Sequence, residues 1–166
     1  MTVRNRNILI GVAAISVFAA ILYFLFILIY QKKQWYDWFL SELKKSETAN
    51  KLGVTNNPGA EALNNLRELS DNILWKIHKV VKGWKFTSGF RSGAVNEAVG
   101  GVQNSQHQLG QAADFKCENM KEVFEFIANN LEFDQLIWEK GNTNAPAWIH
   151  VSFRKGNNRN QVIYNY

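Results

Sequence analysis

Residues 8–30, ILIGVAAISVFAAILYFLFILIY, contain no charged side chain. About 20 consecutive apolar residues suffice to cross the hydrocarbon core of a bilayer, so this run is expected to form one transmembrane helix. A rod so uniformly apolar has no polar face for water, and a small domain cannot enclose it on every side. A cleaved signal peptide has a shorter apolar region, about 7–15 residues, followed by a small-residue cleavage site. Gln31-Lys32-Lys33-Gln34-Trp35-Tyr36 offers no such site. The expected organisation is a short tail over residues 1–7, an anchor over 8–30, a juxtamembrane linker over 31–37 and one domain over 38–166.

Arg4 and Arg6 precede the apolar run and Lys32 and Lys33 follow it, so flanking charge alone sets no orientation. Trp35, Tyr36 and Trp38 suit either an interfacial aromatic belt or an amphipathic helix packed on the domain. Those four cations account for most of the net charge of +5: without them, 15 of the 19 basic residues remain against 14 acidic ones. The rest of the chain is nearly neutral and lacks the gathered cations that nucleic acid requires. The densest basic tract, Arg154 to Arg159, reads as a solvated turn before a last strand. Cys117 is the sole cysteine, which excludes an intrachain disulfide and a multi-cysteine zinc site. At the end of an apolar strand it reads as a buried structural thiol.

Residues 35–51 are expected to be helical, followed by a turn through Gly53 to Asn56. Asn57-Pro58 is expected to start the next helix as cap and first-turn residue. Leu63, Leu66, Leu69, Ile73, Ile77 and Val80 recur at three and four and form its core face; His78 lies off that stripe and is expected to face solvent. Trp84 to Thr87 reads as a short strand. Ser88 to Gly101 reads as a long ordered loop, a feature that compact domains usually reserve for function. Ala112 to Lys116, Phe133 to Glu139, Ala147 to Phe153 and Gln161 to Tyr164 read as strands, with a helix over Lys121 to Asn129. The fold class is therefore α+β: a small antiparallel sheet with flanking helices, preceded by one N-terminal transmembrane helix.

SQHQLGQAADF, residues 105–115, sets His107 seven positions before Asp114 among small and amide side chains. Imidazole nitrogen and carboxylate oxygen are ordinary metal ligands where thiolates are absent, and catalytic zinc commonly keeps three protein ligands. His150, in the strand Ala147 to Phe153, supplies a third candidate on the face opposite Ile149 and Val151. Each residue alone has a plainer reading: His107 as a loop hydrogen-bonder, Asp114 as a strand-end carboxylate, His150 as a satisfied sheet histidine. Together they take two of the three histidines, in segments whose Gly110, Ala112 and Ala113 permit close backbone approach.

These residues resemble the zinc D-alanyl-D-alanine carboxypeptidases and related peptidoglycan peptidases, including vancomycin-resistance dipeptidases and phage L-alanyl-D-glutamate endolysins. The similarity runs through Ser88-Gly89-Phe90-Arg91-Ser92, Val95-Asn96, Gly100-Gly101, Ser105-Gln106-His107, Gly110, Ala112 and Asp114. It continues through Phe133 to Glu139 and Trp148-Ile149-His150-Val151-Ser152. Upstream, Leu40-Ser41-Glu42, Ser46 to Ala49 and Asn57-Pro58 resemble the small single-domain branch, so coverage is about residues 38–153. The resemblance implies that His107, Asp114 and His150 bind zinc. It also implies that Arg91 faces the substrate, where a guanidinium suits a developing oxyanion. Ser105 and Gln106 either contact substrate or fix the His107 loop.

Several relatives place a glutamate three residues before the last histidine ligand, where this sequence has Ala147. Glu139 is the nearest substitute for a general base. In one hairpin register it shares the face of His150; in the neighbouring register it points away and is a structural carboxylate. The implied function is a membrane-anchored zinc metallopeptidase hydrolysing peptidoglycan stem peptides, as a carboxypeptidase or an endopeptidase, with its domain outside the cytoplasmic membrane. The alternative is a peptidoglycan-binding module with weak or no turnover on the same fold. The sequence specifies no oligomeric state.

Overall fold

The computed structural model describes residues 3–166, with side chains from residue 17 onward, so most of the expected 1–7 tail and the first part of the apolar run lie outside the described side chains. The chain divides into two compact units, Met1–Trp35 and Tyr36–Tyr166. Helix α1 is Val3–Lys44. Within it, Val17–Lys44 is long and apolar enough to cross a membrane, and none of its most apolar window is buried. Phe18, Tyr23, Phe26 and Ile29 are exposed, unlike the side chains of a core helix.

The second unit is built on a five-stranded sheet of order β1-β2-β4-β3-β5. Its strands are β1 Lys85–Ser88, β2 Ala112–Lys116, β3 Gln135–Gly141, β4 Pro146–Ser152 and β5 Gln161–Asn165. The first four in spatial order pair antiparallel, as expected. β5 departs from that pattern and runs parallel to β3. β4 ends and β5 begins at the same end of the sheet, beside Gln135, so a short loop past the start of β3 suffices.

Alternation along the strands separates two faces. Ala113, Phe115, Leu136, Ile149 and Val151 are fully buried on one face, where α6, Met120–Asn130, contributes Val123, Phe124 and Ile127. Phe124 packs edge-on against Trp138 at 5.1 Å. The other face carries Asp114, Ile137, Glu139, Trp148 and His150 and opens to a cleft. A second apolar cluster joins Trp38 and Phe39 of α1 to Trp84 and Phe86. Trp38 thus serves the packing alternative rather than the aromatic belt.

Helix α2, Glu47–Leu52, is capped by Ser46, whose hydroxyl accepts from Ala49 N–H. The next helix starts later than expected: α3 is Ala60–Leu69 with extended Gly59 as its cap, so Pro58 lies outside it. A π-helical turn, Ser70–Leu74, follows, and α4 is Trp75–Ile77. Leu69, Ile73 and Ile77 keep the expected buried stripe, but the helix ends at Ile77 and in the turn beyond it Val81 rather than Val80 is buried. His78 is half-buried and stacked on Trp75 at 4.0 Å rather than turned to solvent. The segment expected as continuous loop contains α5, Gly93–Ala98. Asn96 is buried there, donating to the Val102 carbonyl at 2.9 Å.

Candidate metal centre and active site

The register places the site residues side by side. Asp114 on β2 is the Cα partner of His150 on β4, and His150 is in turn the partner of Ile137 on β3. His107 enters from the loop before β2. All three of His107, Asp114 and His150 are buried, and one ligand atom from each lies within 4.8 Å of the others. His107 Nε2 is 3.3 Å from Asp114 Oδ2, and His150 Nδ1 is 2.7 Å from Asp114 Oδ1.

His107 Nδ1 lies 2.7 Å from the Gly89 carbonyl. A carbonyl only accepts, so Nδ1 donates to it and Nε2 is the nitrogen turned toward Asp114. Gly89 is required by close approach: a Cβ there would stand 2.3 Å from the Leu43 carbonyl oxygen. Phe90 N–H donates to that same oxygen at 2.7 Å, fastening the Ser88–Ser92 turn to the end of α1. Burial pushes the Asp114 carboxyl upward, but the charges and hydrogen bonds of His107 and His150 outweigh it and hold the group well below the usual carboxylate range.

Two imidazole nitrogens and an ionised carboxylate, converging in the lining of an open cleft, are a donor set that fits zinc. The cleft has a volume of about 700 Å³. Arg91 lines it, with Nε donating to Ser88 Oγ at 2.8 Å and Nη2 donating to Asp114 Oδ2 at 3.1 Å. Its remaining N–H donors are left for a ligand.

Glu139 pairs with Trp148, so it occupies the face of His150, the first of the two registers considered for the hairpin. It is diagonal to His150 across the β3–β4 pair, on the same face of the sheet. Its carboxylate accepts from Asn165 Nδ2 at 2.8 Å. Ala147 lies on the opposite face from His150 because β4 is regular from Pro146 to Val151. A glutamate at 147 would therefore point away from the cluster in this strand.

Ser105 Oγ accepts from His107 N–H at 3.3 Å, and Gln106 Nε2 donates to Asp134, so both brace the His107 loop while lining the cleft. Cys117 is buried, and burial pushes its thiol up to about 11, consistent with an inert structural residue.

Two features escaped the sequence reading. Asn56 Nδ2 donates to the Phe90 carbonyl at 2.9 Å and its Oδ1 accepts from Ser92 N–H at 2.8 Å, gripping the backbone on both sides of Arg91. The tract from Arg154 to Arg159 is a largely exposed turn before β5, as expected, but Arg154 and Arg159 also line the cleft. Both lie past the end of β4, where strand alternation carries no signal.

The sequence model of the family described as Peptidase M15 matches residues 37–152. The chain belongs to the Peptidase M15 family. No curated protein was found to match the chain. Peptidase M15 members are zinc peptidases acting on peptidoglycan, and the match spans His107, Asp114, Glu139 and His150. Arg154, Arg159 and β5 lie beyond the matched M15 residues.

Proposed function

We propose that this chain is a membrane-anchored zinc metallopeptidase that hydrolyses peptide bonds in peptidoglycan stem peptides. The observation that carries this reading is the buried His107–Asp114–His150 cluster at the base of a cleft whose wall also presents Glu139 and Arg91. His107 Nε2, an Asp114 oxygen and His150 Nδ1 would hold the ion. Zinc held there would supply Lewis acidity toward a peptide carbonyl and water. Glu139 takes the proton of the attacking water and delivers it to the leaving amine. Arg91, held by Ser88 and Asp114, directs its free donors at the oxygen on which negative charge develops. Ser105 and Gln106 line the cleft as substrate contacts as well as loop braces.

Residues 8–30 form the anchor, 31–37 the linker and 38–166 the catalytic domain. Because peptidoglycan lies outside the cytoplasmic membrane, residues 1–7 lie inside and the domain outside. A C-terminal reporter active only in the cytoplasm would refute that orientation.

Zinc content and mass-spectrometric digestion of muropeptides test the chemistry, using the full-length chain in detergent beside His150→Ala and Glu139→Gln. Product is expected from the unsubstituted chain and from neither variant, with zinc lost only from His150→Ala. Bound zinc without product from any stem peptide would indicate a binding module instead.

A further inference from the structure

The cleft is electrically uneven along the strands. Glu139 lies toward one end, Asp114 and Arg91 offset each other in the middle, and Arg154 and Arg159 occupy the other end. The acid beneath those two arginines is Asp134, which is fully buried. Arg159 grips it with Nε at 2.8 Å and Nη2 at 2.7 Å, whereas Arg154 Nη1 stands 4.0 Å from it. One buried carboxylate therefore faces two guanidiniums, whose side chains remain 36% and 48% exposed.

This end is also rigid. Arg154 N–H donates to Asn158 Oδ1 at 2.8 Å, and Asn160 N–H donates to the Phe133 carbonyl at 2.8 Å. Asn160 Oδ1 accepts from Phe133 N–H at 3.0 Å in return. Gln106 donates to Asp134, coupling the pair to the residue next to His107. Pre-positioned guanidiniums with donors to spare are suited to bind a planar carboxylate. Arg154 lies two residues past the end of β4 and lines the same cleft as His150.

We propose that Arg154 and Arg159 form a subsite for a carboxylate of the bound peptide, which orients the chain in the cleft and sets which bond lies over the metal centre. The proposal rests on the reading of the cleft as a peptidase site, and it concerns residues beyond those matched by the family. The carboxylate is either the peptide's C-terminus or the free carboxylate of an internal γ-linked glutamate.

The test is calorimetric titration of the full-length, zinc-loaded Glu139→Gln protein in detergent, a form in which the peptide is not consumed. The probes are the pentapeptide L-Ala-D-γ-Glu-L-Lys-D-Ala-D-Ala, its C-terminal carboxamide and its isoglutamine form. Amidating one of the two carboxylates is expected to weaken binding at least about tenfold, as for loss of a charge-assisted contact, and which one identifies the source. Adding Arg154→Gln is expected to abolish that preference while leaving the thermal midpoint and the affinity for the amide in place. Arg154→Lys is expected to retain part of it. Equal binding of all three peptides, binding of none, or equal weakening of all three by Arg154→Gln would overturn the proposal. Hydrolysis by the unsubstituted chain is read separately: selective binding without product refutes the peptidase assignment and leaves the subsite standing.

Discussion

Asp114 and His150 face each other across β2 and β4, with His150 Nδ1 2.7 Å from Asp114 Oδ1. The same carboxylate receives His107 and Arg91 on its second oxygen. One ionised group thus sets the position of both imidazoles, and its charge keeps three potential cations in a buried place. Asp114→Asn preserves the shape and removes the charge. Metal affinity, measured by competition with a chromophoric chelator, is expected to fall at least about 100-fold, the upper end of what loss of a supporting group alone would cause. Digestion of muropeptides should fall with it and recover in part at high zinc.

Asn56 makes a second relationship of this kind, at longer range. Its amide donates to the Phe90 and Lys44 carbonyls and accepts from Ser92 N–H, so it ties α1 to both sides of Arg91. Asn56→Ala is expected to cost about 1–3 kcal/mol in a urea melt, since each lost hydrogen bond contributes about 1 kcal/mol. Activity should fall as the guanidinium loses its fixed place. Asn56→Asp should rank below Asn56→Ala at neutral pH, because a carboxylate cannot donate to the two carbonyls it would face.

The contrast between these sites explains what was legible beforehand. The apolar run, the strand alternation of Ile149, His150 and Val151, and the spacing of His107 and Asp114 are local patterns. They led to the α+β class and to a three-residue cluster that the register then assembled. Glu139 depended on a hairpin register, a choice between two equally alternating patterns until Glu139 is seen opposite Trp148. Asn56 was beyond reach because Phe90, its partner, is 34 positions away and no periodicity links them. The part that the basic tract plays in the cleft was missed for a related reason: Arg159 takes its meaning from Asp134, a buried acid 25 positions earlier. The π turn at Ser70–Leu74 also leaves no periodic signature, since Leu69, Ile73 and Ile77 keep helical spacing through it and are all buried.

Gly89 is where packing and chemistry meet in one backbone position. Its carbonyl orients His107, and its missing Cβ lets the turn lie against Leu43. Gly89→Ala must push backbone from backbone, because the atom in the way is a carbonyl oxygen rather than a flexible side-chain tip. A destabilisation of about 1–3 kcal/mol is expected from such overpacking, measured by thermal or urea unfolding. The displaced carbonyl should also loosen His107, so zinc affinity is expected to drop even where the variant remains folded. Unchanged zinc affinity in a destabilised variant would separate the two roles and assign His107's orientation to its loop alone.

Asp134 gives the domain a predictable response to acid. Burial raises its carboxyl, but the hydrogen bond and charge of Arg159, with help from Gln106 and Arg154, outweigh that and lower it below the usual value. A group depressed in the folded state stabilises the fold above its unfolded pKa, about 3.9 for aspartate. That contribution is lost as pH falls through the lower, folded value. Asp134→Asn is therefore expected to unfold at lower temperature than the unsubstituted chain at pH 7. The gap between the two melting temperatures should narrow as pH falls below about 4, because the unsubstituted chain then loses the ion pair that the variant already lacks. The difference isolates Asp134 from other carboxylates that titrate in both proteins. A gap independent of pH would mean that Asp134 supports the loop through its hydrogen-bonding shape rather than its charge.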